Sequence, residues 1–198
     1  MADYSIIADV EEAIIRLLRE GLVPAIIPNS EGIGVCSPSD KGDVSLGIYL
    51  YDIRRNPSVR SERVSTGTDS FRSPSLFLDL YFMITAYSSG DIRFRSLEEA
   101  KILGRTLQIL EGTSVFRGNL FGKPFSDLQY EPRMELLEPE LEEKNRIWNM
   151  PNVPYRLSLF YKVFPMELIS EKITKITRVR QTDITLGQIH PELREVRE

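Results

Sequence analysis

Residues Val44–Tyr87, VSLGIYLYDIRRNPSVRSERVSTGTDSFRSPSLFLDLYFMITAY, decide the fold. In Val44–Asp52, Leu46, Ile48 and Leu50 alternate with Gly47, Tyr49 and Tyr51, a period of two that puts aliphatics on one face of a strand and tyrosines on the other. Leu76–Tyr87 repeats the pattern more strongly, with Leu76, Leu78, Leu80, Phe82 and Ile84 on one side and Phe77, Asp79, Tyr81, Met83 and Tyr87 on the other. Apolar residues on both sides make it the expected central strand of a sheet covered on both faces. The intervening Ile53–Ser75 is too long for a hairpin connection and too polar for a core, and loops of this length are characteristically functional or disordered. The expectation is an arm that docks on a partner.

The charge of that arm suggests what it docks on. Arg54, Arg55, Arg60, Arg63 and Arg72 stand against Glu62 and Asp69. A solvated loop is the plain reading, and contact with an acidic protein surface is the functional one, because the guanidinium fork matches carboxylates. Nucleic acid ranks below both: the arm has one aromatic residue, Phe71, where base stacking needs several. A net charge of −4 with a pI near 5.3 gives no basic footprint either. The opposite sign gathers at Glu131, Glu135, Glu138, Glu140, Glu142 and Glu143, relieved only by Arg133 before Lys144. Part of that cluster suits a helix N-terminus. A basic arm and an acidic ridge on one chain are also what a head-to-tail ring requires.

Outward from this centre, Ile7, Val10, Ile14, Leu17 and Leu18 recur at helical spacing opposite Asp9, Glu12, Arg16 and Arg19, with Gly21 and Pro24 as the stop. After Ser88–Asp91, Ser96 and Glu99 read as a capping box for a helix whose face carries Leu97, Ala100, Leu103, Leu107 and Leu110 and which ends at Gly112. Ile102 and Ile109 add a second stripe, which places this helix deep in the fold or against another subunit. Gly112–Tyr130 is irregular, Arg133–Leu137 reads as a short strand, Glu140–Met150 as a helix, and Tyr155–Phe164 as the last clear strand. The order α, β, β, α, β, α, β predicts an α+β fold with two or three helices on one mixed or antiparallel sheet. A doubly wound nucleotide fold is disfavoured, because no helix separates the first two strands. The division expected is a domain over residues 1–165 and an extended C-terminal arm over 166–198. In that arm Lys172, Lys175, Arg178 and Arg180 lie among β-branched residues, which suit an extended strand able to join a neighbour's sheet; a frayed terminus is the alternative.

The residue stock argues against catalysis. The chain of 198 residues has one histidine (His190), one cysteine (Cys36) and one tryptophan (Trp148), a stock from which neither a Cys–His pair nor a zinc site is expected. Glu31–Cys36, EGIGVC, lacks the third glycine and the preceding strand of a dinucleotide fingerprint. The glutamates form a run too charged to be a tuned acid–base pair in a cleft. His190 reads as solvent-exposed, Cys36 as a small buried residue, and Trp148 as core. No cofactor or metal is expected. A hydrophobic fraction of 41% and a charged fraction of 27% are those of an ordinary globular domain. The lone cysteine, the absence of a basic leader and the absence of a long apolar run lead to the expectation of a cytoplasmic protein that crosses no membrane.

The order of these pieces resembles one family. The opening DYSIIADVEEAIIRLLREGL helix is followed by SLGIYLYDIRRNPSVR, LFLDLYFMITAY, LGRTLQIL, a short helix ending in IWNM, and PYRLSLFYKVFP. Together with Tyr51/Asn56-Pro57, Leu103-Gly104-Arg105 and Pro154-Tyr155-Arg156-Leu157, this resembles the cap or tail-terminator proteins of bacterial contractile injection systems, relatives of contractile phage tail terminators. The resemblance covers Ala2–Pro165. It implies a tail-terminator-like fold and a ring, usually of six subunits, on the distal end of the inner tube. Such a ring stops tube growth and anchors the last sheath layer, with tube and sheath proteins as partners and no catalysis. The competing expectation is a non-catalytic cytoplasmic adaptor domain that binds an acidic partner.

Overall fold

The computed structural model describes residues 4–60, 62, 64–67, 70–118, 125, 128 and 130–175. In chain order its elements are α1 (Ile6–Leu22), β1 (Ile33–Val35), β2 (Leu46–Arg55), β3 (Val64–Gly67), β4 (Ser70–Arg72), β5 (Leu76–Ala86), α2 (Arg95–Gly112), β6 (Arg133–Leu137), α3 (Leu141–Ile147), β7 (Ser158–Leu168) and β8 (Ile173–Lys175). Five strands form one sheet in the order β1-β2-β5-β7-β6, with β1 parallel to β2 and every other pairing antiparallel. The fold is α+β on a mixed sheet, and β5 is its central strand.

Alternation along β5 explains the layering. Leu78, Leu80, Phe82 and Ile84 face the main core, which also takes Ile6, Val10, Ile14, Leu18 and Leu22 from α1 and Ile102, Leu103 and Leu110 from α2. The opposite face holds a smaller cluster of Met83, Trp148 and Phe160, packed by Tyr49, Tyr51 and Ile147. Trp148 is core, 4% exposed. Complete burial of an aliphatic side chain contributes on the order of 1.5–3 kcal/mol, so the apolar stripe of α1 anchors that helix.

Several local expectations are corrected. Strand β2 does not stop at Asp52 but runs to Arg55: a bulge after Leu50 inserts Tyr51, and pairing resumes with Asp52 opposite Tyr81 and Arg54 opposite Asp79. EGIGVC contains β1, three residues at the sheet edge and too short to show a period. The last long strand begins at Ser158, leaving Tyr155 and Leu157 exposed, and continues through Pro165 to Leu168. Its register against β5 shifts between Leu78 and Leu80, which accommodates a proline that has no N–H for the ladder. Ser96 is not a cap, since α2 starts at Arg95 with Phe94 as N-cap and no side-chain capping bond. The buried face of α2 is Ile102, Leu103, Thr106 and Leu110, while Leu97 is 57% exposed. Gly21 lies inside α1, not at its stop; a Cβ there would sit 2.5 Å from Cδ1 of Ile109, so this glycine permits the close crossing of α1 and α2. Cys36 is half-buried, and His190 lies outside the described residues.

The arm is also more ordered than expected. β3 and β4 pair antiparallel, and β8 joins the other side of β4, so a second, three-stranded sheet β3-β4-β8 stands beside the main one. At its root, Asn56 Nδ2 donates to Asp79 Oδ1 at 2.6 Å in a buried contact, and Asn56 Oδ1 accepts from the backbone N–H groups of Ser58 and Val59. The Asn-Pro pair turns the chain out of β2 while satisfying a buried carboxylate.

Candidate interaction surfaces

The basic residues divide by element. Arg54 and Arg55 belong to β2, Arg60 is exposed in the following loop, Arg72 is half-buried in β4, and Arg63 lies outside the described residues. Arg54 is engaged within its own chain: its Nε donates to Asp52 Oδ2 at 2.6 Å, and its guanidinium lies 4.9 Å from the centre of the Tyr81 ring. Of the C-terminal set, Lys172 and Lys175 are exposed at β8, and Arg178 and Arg180 lie outside the described residues.

The acidic ridge follows β6 into α3. Glu135 on β6 is 3.9 Å from Lys162, Glu138 is exposed in the connection, Glu140 is the N-cap of α3, and Glu142 and Glu143 fill its first turn. These acids favour the helix N-terminus electrostatically. Glu142 pairs with Arg146 at 2.5 Å one turn on. Glu138, Glu140 and Glu143 have no ion-pair partner among the described residues. The ridge and the root of the arm meet: Tyr51, Asp52 and Arg54 line a groove of about 490 Å³ with Glu140, Glu143 and Arg146. Burial, then the charge of Glu143, pushes the Tyr51 phenol up to about 12. Sequence reasoning missed this juxtaposition because it treated Arg54 as part of the arm.

A larger groove of about 800 Å³ runs between α2 and the turns around it, lined by Ile26, Ile27, Tyr87, Ser88, Gly104 and Arg105. A Cβ on Gly104 would meet no atom within 4 Å. Nearby, burial raises the Cys36 thiol above its ordinary pKa, against a smaller opposing effect of Lys41. Among the described residues no cluster of His, Cys, Asp and Glu is placed to hold a metal, and no helix is long and apolar enough to cross a membrane. The chemistry these surfaces offer is charge pairing and strand pairing.

Residues 9–182 match the sequence model of the family described as the Pvc16 N-terminal domain. None of the curated proteins matches the sequence. Solved structures that share the fold include two terminators. The sheath/tube terminator of the extracellular contractile injection system PVC, in its extended state, superposes with a TM-score of 0.61 at 19% identity, over 93% of this chain and 64% of that one. The cap of the anti-feeding prophage, described as the AFP tube terminating cap, gives 0.54 at 18% identity, over 90% of this chain and 61% of that one. The chain therefore spans somewhat less than two thirds of the length of the terminator chains it matches.

Proposed function

Because the chain belongs to the Pvc16 N-terminal domain family, we propose that it is a structural cap protein of a contractile injection system or phage-like tail. Copies form a ring of six on the distal end of the inner tube, where they end tube growth and anchor the last sheath layer. The observation that carries this reading is the fold shared with a sheath/tube terminator and a tube terminating cap over nine tenths or more of this chain. The protein works by assembly in the cytoplasm and then as part of the particle, not as an enzyme.

Neighbouring copies are held by opposite charges. Arg55, Arg60 and Arg72 of one arm, with Arg63, and the C-terminal Lys172, Lys175, Arg178 and Arg180, face Glu135, Glu138, Glu140 and Glu143 of the next copy. Arg54, Arg72, Glu135 and Glu142 contribute less, since each is already engaged within its own chain. The chain through Ile169, which packs on the main core just after β7, acts as the terminator domain, and the residues beyond it act as the arm that joins copies. Adding the purified protein to polymerising tube subunits tests this: electron microscopy should show a ring at one end and shorter tubes. Tubes of unchanged length with bare ends would refute it.

A further inference from the structure

We propose that β8 is an exchange strand: in the assembled ring, Ile173–Lys175 of one copy leaves its own β4 and pairs with β4 of the next. This rests on the ring reading above and adds to it the route by which copies become interlocked.

Within one chain, β8 is held almost entirely by its backbone. Its register is Ser70↔Lys175, Phe71↔Thr174 and Arg72↔Ile173, extended by a bond from the Ser73 N–H to the Lys172 carbonyl at 2.8 Å. All three β8 residues are exposed, Ile173 by 56%, so the strand buries almost no apolar surface. Nor does any described side chain of β3, β4 or β8 belong to either buried cluster. The net gain from a few backbone hydrogen bonds roughly cancels the conformational entropy lost in ordering the segment. Little therefore ties β8 to its own copy.

Exchange costs no pairing, because the β4 of a second copy offers the same register, and swapping an identical element is a low-cost route to association. The segment also carries Lys172 and Lys175 towards the neighbour, whose ridge presents Glu138, Glu140 and Glu143. Ile169 is packed on the main core, so Ser170–Lys172 is the hinge. It spans about 10 Å when extended, which requires the β4 strands of adjacent copies to lie side by side.

Paired cysteines in a Cys36→Ala background test the exchange. Phe71 and Thr174 face each other in register, and directly opposed residues of an antiparallel pair fall within disulfide range. Phe71→Cys and Thr174→Cys copies, mixed in equal amounts with tubes and mildly oxidised, should give a disulfide joining one variant to the other. The double variant should give a ladder of covalent multimers. Oxidised first as a monomer, the double variant should have β8 locked in place, fail to form rings, and recover on reduction. Rings of normal mass whose disulfides all lie within single chains, or locked copies that assemble normally, would overturn the exchange and leave the cap reading intact. A parent protein that never forms rings, with or without tubes, would overturn both.

Discussion

Arg156 Nη1 donates to Glu99 Oε1 at 2.7 Å, joining the segment before β7 to the second turn of α2 across 57 positions of sequence. The same guanidinium lies 5.5 Å from the centre of the Tyr87 ring, and Glu99 also accepts from the Ser88 N–H at 3.1 Å. One contact set thus ties the end of β5, the start of α2 and the approach to β7. The Arg156 and Glu99 side chains are 27% and 19% exposed, so water screens the pair only in part. Charge-assisted bonds of this kind contribute about 1.5–3 kcal/mol when well buried, and this one falls at the lower end. In a double-mutant cycle, Arg156→Ala and Glu99→Ala should each lower the unfolding free energy by about 1–2 kcal/mol in urea, with a coupling of roughly 1 kcal/mol. A coupling indistinguishable from zero would show that the latch is only a surface pair.

Two helical glycines should answer oppositely to alanine. Gly104 lies in the middle of α2 with open space where its Cβ would go, so Gly104→Ala should stabilise the isolated chain by roughly 0.5–1 kcal/mol through helix propensity. Gly21 is in the last turn of α1, and an added Cβ would meet Ile109 at 2.5 and 2.8 Å. There the propensity gain is offset by overpacking of about 1–3 kcal/mol, and Gly21→Ala should destabilise. Thermal melts of the two variants decide it; equal stabilisation by both would mean that α1 and α2 do not cross as closely as Gly21 indicates.

The contrast between α1 and β8 shows what the sequence makes readable. Val10, Ile14 and Leu18 announce a buried helical face because their spacing is local, and β5 is readable because its alternation spans eleven residues. β8 pairs with β4 through backbone groups a hundred residues away in sequence, and nothing in ITK encodes that partner. Ser96 fits the capping pattern, yet a turn headed by Asp91, which accepts the Arg93 N–H through its side chain and the Phe94 N–H through its carbonyl, leads into the helix at Arg95, so the helix is under way before Ser96. At the interaction surfaces, charge type was legible from composition. That Arg54 is already committed to Asp52 was not, because only the continuation of β2 to Arg55, into the polar stretch that reads as an arm, puts the two side chains on one strand face.

Alkali should unfold the domain through its tyrosines. Burial raises the phenols of Tyr51 and Tyr87 to about 12, with Glu143 adding to the first and Cys36 to the second. Tyr161 is raised further by burial and by Glu111, to which its hydroxyl donates at 3.3 Å. Below the ordinary phenol value of about 10, folded and unfolded chains hold these protons equally and stability is complete. Between about 10 and 12 the unfolded chain releases protons that the folded chain retains, so each step up in pH favours unfolding. Phenolate absorbance from these buried rings should therefore rise late and together with the loss of the buried emission of Trp148, the single tryptophan, at the second face of the sheet. A phenolate rise completed near pH 10 with Trp148 emission unchanged would mean that Tyr51 and Tyr87 are open to water in the folded chain.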